Sequence, residues 1–149
     1  MIRTLIPTLL LLLAALAIPA FAADPAGKDD KAEPSASGGR VFEMRTYTAN
    51  EGKMEALHKR FREHTNRLFR KHGIEIVGYW TPQDEKDGKA DKLVYLLAYP
   101  SRKAAEASWK AFRDDPEWQK AFQESHKDGV LVKKPESVFL DPTDYSPIK

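Results

Sequence analysis

The chain has 149 residues, 31% of them charged and 42% hydrophobic, which suits a soluble globular protein with room for one domain. Its 24 basic and 22 acidic residues leave a formal net charge of +2, so no long-range field draws in nucleic acid or an anionic membrane. There is no cysteine, which excludes disulfides, thiolate catalysis and cysteine-based zinc sites.

Residues 1–22 read as a secretory signal peptide. Arg3 supplies the positive start, Leu5 to Ile18 is almost wholly apolar, and Ala20-Phe21-Ala22 places small residues for cleavage between Ala22 and Ala23. The apolar run is short for a membrane span of roughly 20 residues. The expectation is therefore a periplasmic or secreted protein with no stable membrane insertion after cleavage. Residues 23–39 are polar and rich in Pro, Gly, Ser and Ala, and are expected to form a disordered spacer. Residues 40–149 are the folded domain.

Val41 to Thr48 alternates as a strand, with Phe42 and Met44 on one face and Glu43, Arg45 and Tyr47 on the other. After the turn at Asn50-Glu51-Gly52, Lys53 to His72 follows helical spacing, its apolar stripe being Met54, Leu57, Phe61 and Leu68. Lys59, Arg60, Arg62, Arg67, Arg70 and Lys71 then read as a solvated basic surface, interrupted by Glu55 and Glu63. Gly73 is placed to end the helix. Ile74 to Thr81 is a second strand, and Lys92 to Tyr99 a third, apolar enough to be central. Ser101 is placed to cap a helix running to about Arg113. Asp115-Pro116 restarts a further helical segment carrying Trp118, Ala121 and Phe122 inward. Ser137 to Leu140 is the fourth strand.

The order β-α-β-β-α-β is the split pattern of a ferredoxin-like α+β fold, with a four-stranded antiparallel sheet and helices on one face. The other face needs a cover, and a second copy of the sheet is the economical one for so small a domain. The expectation is a homodimer.

Several motifs in the right order support this. They are Met44-Arg45-Thr46-Tyr47-Thr48 with Gly52-Lys53, His64 and the helix end at His72, Val77-Gly78-Tyr79-Trp80, Ala98-Tyr99, Asp115-Pro116-Glu117-Trp118, and the closing Pro142-Thr143-Asp144-Tyr145-Ser146-Pro147. Together they resemble the NIPSNAP family over nearly all of residues 40–149. One departure is Leu97, where many members carry tryptophan. The resemblance implies a dimeric α/β barrel, two sheets packed together with helices outside. Its wider superfamily holds cofactor-independent monooxygenases, haem-degrading enzymes and small-molecule binders, and fold alone does not choose among them.

His64 is the sharpest candidate for chemistry. At about 100° per residue it falls beside Phe61 and Leu68, where it could look between helix and sheet as a general base or ligand. A boundary histidine bonded to the sheet is the plainer alternative. Arg45 and Tyr47, with Glu43, form a polar patch in which Arg45 could hold an anion bidentately; cross-strand ion pairing inside a barrel is the alternative. Trp80, Tyr95, Trp109 and Trp118 give an aromatic-rich interior, either plain core or a platform for a flat ligand. The ligand-binding set is therefore Arg45, Tyr47, His64, Trp80 and Tyr95. The four histidines have no metal-site spacing, so no metal is expected and no cofactor is implied. The reading that follows is an exported homodimer that binds a small apolar or aromatic molecule or serves as an interaction module. The alternatives are a cofactor-independent monooxygenase-like enzyme acting on small aromatic compounds, and a haem binder with His64 as axial ligand.

Overall fold

The computed structural model of the chain describes residues 39–149. The signal peptide and all but the end of the spacer lie outside the described residues. The elements run β1 (Val41–Ala49), α1 (Met54–Arg60), a π-helical segment (Phe61–Thr65), α2 (Asn66–Lys71), β2 (Glu75–Trp80), β3 (Lys92–Tyr99), α3 (Arg102–Asp114), α4 (Pro116–Ser125) and β4 (Val132–Leu140). The four strands form one antiparallel sheet in the order β2-β3-β1-β4. This is the expected ferredoxin-like arrangement, with β3 and β1 central.

The local signals act as their chemistry dictates. Gly73 takes φ +71°, a conformation other residues adopt at a cost, and lets the Ile74 N–H return to the Phe69 carbonyl to close α2. Ser101 accepts the Ala104 N–H at 3.1 Å. Asp115 accepts the Glu117 N–H at 2.8 Å, with Pro116 in the first turn of α4. β4 begins five residues earlier than the apolar pattern suggested, because Lys133, Lys134, Pro135 and Glu136 hide it. Pro135 is tolerated because β4 is an edge strand.

Alternation along β1 sends Val41, Glu43, Arg45, Tyr47 and Ala49 toward the helices. Leu93, Tyr95, Leu97 and Tyr99 of β3 stand in the same layer. They pack against Leu57, Phe61, Leu68 and Phe69 of the first helical stretch and against Ala105 and Phe112 of α3. The π segment matters here. The Asn66 N–H donates to the Phe61 carbonyl five residues back, so the wider turn resets which residues face the sheet. Thr65, Leu68 and Phe69 carry the buried face onward, and Arg60 joins it at 5% exposure. Arg60 is thus no part of a solvated basic surface, contrary to its place in the sequence pattern.

The opposite face of the sheet carries Phe42, Met44, Leu96, Val138 and Leu140. Part of it is covered by the chain's own end, where Pro142, Thr143, Ser146 and Ile148 surround a pocket of about 290 Å³ against Phe42, Leu96 and Leu140. Met44, Val138 and Leu140 remain 38%, 50% and 39% exposed. Trp80 is not interior either: it lies on edge strand β2 and is 53% exposed.

Candidate functional site

The helix-facing row of β1 is unusual because it buries charge. Glu43 is 1% exposed, and its two oxygens take four hydrogen bonds. Oε1 accepts from Arg45 Nη1 at 2.5 Å and from Ser137 Oγ of β4 at 2.6 Å. Oε2 accepts from Tyr99 OH at 2.8 Å and from Trp109 Nε1 of α3 at 2.6 Å. Four donors exhaust what a carboxylate usually accepts. Burial pushes the Glu43 carboxyl up, but the Ser137 and Trp109 bonds, the Arg45 charge and the Tyr99 hydroxyl outweigh it, so the group stays below the usual range and ionised. Burial also raises the neighbouring Tyr99 hydroxyl, which the Glu43 charge lifts further, keeping it a donor.

Arg45 is fixed from both sides. Its Nη1 is held by Glu43, and its Nε donates to Tyr95 OH at 3.0 Å. The guanidinium lies 4.5 Å from the Trp109 ring centroid and 5.6 Å from that of Tyr47. Tyr95 is fully buried, edge-on to Tyr47 at 5.2 Å. Two of the five guanidinium N–H groups are spoken for by side chains; the others make no hydrogen bond among the described residues.

Above this floor, between the sheet and α3–α4, lies a cleft of about 490 Å³. Glu43, Arg45, Tyr47 and Ser137 form its polar base. Trp109, Phe112, Trp118, Phe122 and Phe139 form its walls, and Arg102, Glu106 and Arg113 its mouth. Helical spacing explains the α3 contribution, since residues 102, 106, 109 and 113 recur on one face. Trp109, Phe112, Trp118 and Phe122 form a chain of ring contacts, with the Phe112 and Trp118 centroids 4.3 Å apart, and Arg102 lies 3.5 Å over the Phe139 ring. The size and the mixture of an apolar wall with a few convergent polar groups are those of a small-molecule site.

The structure brings Arg45, Tyr47 and Tyr95 together, and leaves His64 and Trp80 elsewhere. His64 sits on the π segment with its side chain 41% exposed, 3.9 Å from Glu63, and lines a separate groove against α4. The π turn is the reason. A wheel drawn at a uniform 100° per residue places His64 beside Phe61 and Leu68, whereas the wider turn rotates it away. Trp80 lines a small pocket of about 250 Å³ with His58, Phe61 and Tyr79. Arg45 pairs with Glu43 two residues away on its own strand rather than across strands. Glu43, Trp109 and Trp118 stood in the polar patch and the aromatic set read from sequence but outside the ligand-binding set, and Phe112, Ser137 and Phe139 were not candidates at all. The available signal was Glu43 sharing a strand face with Arg45 and Tyr47. Among the described residues no cluster of three or more His, Cys, Asp or Glu side chains could hold a metal ion, and no helix is long and apolar enough to cross a membrane.

A second charged cluster, outside the cleft, ties the helices together. Asp115 accepts from Lys71 Nζ and His72 Nε2, each at 2.7 Å, as well as from the Glu117 N–H. The Lys71 and His72 bonds hold its carboxyl far below the usual range.

The NIPSNAP family model matches residues 42–147. Among solved structures, a NIPSNAP family protein from Agrobacterium tumefaciens superposes with a TM-score of 0.65 at 24% identity, covering 74% of this chain and 99% of that one. An uncharacterised NIPSNAP-like domain protein from Burkholderia xenovorans gives 0.64 at 18% identity, covering 74% and 91%. A proposed antibiotic biosynthesis monooxygenase from Bacteriodes thetaiotaomicron gives 0.52 at 14% identity, covering 70% and 90%, and shares the fold. No curated protein matches the chain.

Proposed function

The chain belongs to the NIPSNAP family, and from that footing we propose that it is an exported, homodimeric binding protein that takes a small aromatic molecule bearing an acidic group into the cleft between the sheet and α3–α4. One observation carries the reading: a guanidinium with uncommitted N–H groups, Arg45, is held rigid at the base of an aromatic-walled cleft. A rigid fork receives a carboxylate at little entropic cost, and the rings receive a flat body. The test is quenching of Trp109 and Trp118 fluorescence by aromatic carboxylates, compared with an Arg45→Met variant. Saturable quenching lost in the variant supports the reading; equal quenching in both refutes it.

Binding is favoured over catalysis by the state of the acids. A base must be free to take a proton. Glu43 is saturated by four donors and held ionised, and Glu106 lies at the mouth, 3.8 Å from Arg102. The haem and enzyme readings both relied on His64, which does not line this cleft. Turnover of any compound that binds would reinstate the enzyme reading.

The dimer reading is supported by Met44, Val138 and Leu140, which leave apolar area exposed on the helix-free face. Light scattering of the purified chain tests it, a monomer at micromolar concentration being the contrary result. Export predicts that the mature protein begins at Ala23 and is recovered outside the cytoplasm. A cytoplasmic chain beginning at residue 1 would end that part of the proposal.

A further inference from the structure

Arg60 is a buried cation without a counter-charge. Three charged residues are buried among those described: Glu43 pairs with Arg45, Asp115 with Lys71 and His72, and Arg60 has no carboxylate within reach. Its guanidinium lies 5.3 Å from the Trp118 centroid and 5.6 Å from that of Phe122. Rings compensate the faces of a guanidinium, but its N–H edges still require acceptors. Those edges are poorly served. Nη1 reaches Ser125 Oγ only at 3.4 Å, and the buried Nε has no partner. Desolvation lowers the Arg60 pKa, opposed in part by Tyr47 and Tyr95. An uncompensated buried charge is costly, so a fold that keeps one invites an anion.

The side chain lines a groove of about 280 Å³ between the α1–π stretch and α4, distinct from the cleft. Lys59 and His64 line the same groove and can donate to an oxyanion; Ser125 lines it too, but its hydroxyl proton goes to the Phe122 carbonyl at 2.8 Å. Glu63, Glu124 and Asp128 line it too. Glu63 and Glu124 side chains are 52% and 56% exposed, Glu124 has Lys127 at 3.4 Å, and Asp128 is exposed as well. Solvent screens these carboxylates, whereas Arg60, at 5% exposure, is shielded from it.

We propose that this groove is an oxyanion site, taking a carboxylate or phosphate group onto Arg60 with Lys59 and His64 as further donors. The groove opens separately from the cleft, although Trp118 and Phe122 lie between Arg60 and the cleft as shared walls, and it gives His64 a binding part rather than a catalytic one.

The test is solution NMR of the ¹⁵N-labelled chain. The Arg60 Nε–H and the Ser125 amide are followed while acetate, phosphate or chloride is added at constant ionic strength. Saturable shifts of both signals with acetate or phosphate, absent with chloride, support the site, and the anion that saturates identifies the source. An Arg60→Met variant should bind at least tenfold more weakly, read at the Ser125 amide. No saturable shift with acetate or phosphate, or shifts equal for all three salts, overturns the proposal. That result comes from the unaltered chain and stands whether or not the variant folds.

Discussion

Replacing Glu43 by glutamine keeps the shape of the side chain and inverts its role. Both carboxylate oxygens are used, Oε1 by Arg45 and Ser137, Oε2 by Tyr99 and Trp109. The new amide must present its NH₂ to one of these pairs. The hydroxyls of Ser137 and Tyr99 can turn and accept, but Arg45 Nη1 and Trp109 Nε1 cannot, so one N–H is orphaned in either orientation. A buried donor left without its acceptor costs about 1–3 kcal/mol. Removing one member of a buried ion pair costs about 3–5 kcal/mol. The Arg45 side chain keeps 18% exposure and can recruit water, which places the total near the lower bound, about 3 kcal/mol. That is a large share of the roughly 5–15 kcal/mol that holds such a domain folded. Urea unfolding at neutral pH should show the midpoint falling by roughly 2 M. The Glu43→Gln/Arg45→Met double variant should lose less than the sum of the two single changes, because the pair is then removed as a unit. A loss under about 1 kcal/mol for Glu43→Gln, or strict additivity, would refute the idea that this carboxylate organises the base of the cleft.

Three further outcomes are expected. Asp115 has a folded-state pKa depressed below its unfolded value, so its stabilising contribution is complete above about pH 4 and is lost as pH falls through the folded value. The stability gap between the native chain and Asp115→Asn should therefore shrink on acidification, and a gap constant from pH 6 to 2 would contradict this. Trp118→Ala should cost about 2 kcal/mol, less than the roughly 3–5 of a fully buried tryptophan, because Trp118 is half-buried as a cleft wall; calorimetry against the native chain measures it. His64→Ala should leave both the oligomeric state and binding in the cleft unchanged, since the side chain is 41% exposed and lines a different groove. Loss of either, read by light scattering and fluorescence titration, would place His64 where the structure does not.

Local chemistry determined much of the fold. The strands at residues 41–49 and 92–99, the glycine stop at Gly73, the Ser101 cap and the Asp115-Pro116 restart all rest on one or two residues acting on their own backbone, so they were legible without tertiary information. So was the element order, and with it the topology. β4 was legible only in its last residues, because its charged, proline-containing start is permitted by an edge position that no local pattern announces.

The site was legible only in part. Alternation shows that Glu43, Arg45 and Tyr47 share a face, but parity does not say which face the helices cover. A charged row of that kind reads either as an anion-holding patch or as cross-strand pairing inside a barrel until the sheet is assembled. Tertiary structure decided that it is buried, that Trp109 and Ser137 arrive from 66 and 94 residues away to satisfy Glu43, and that α3 and α4 close a cleft over it. It also decided the fates of His64 and Arg60. One π turn changes the angle at which every later residue leaves the helix, turning the histidine outward while Arg60 lies buried against Trp118 and Phe122. A helical wheel carries the average pitch and not the local one, and a charge pattern carries the residue type and not its neighbours. Sequence alone therefore determined the scaffold, whereas the burial of charge that makes a site was decided by packing between distant segments.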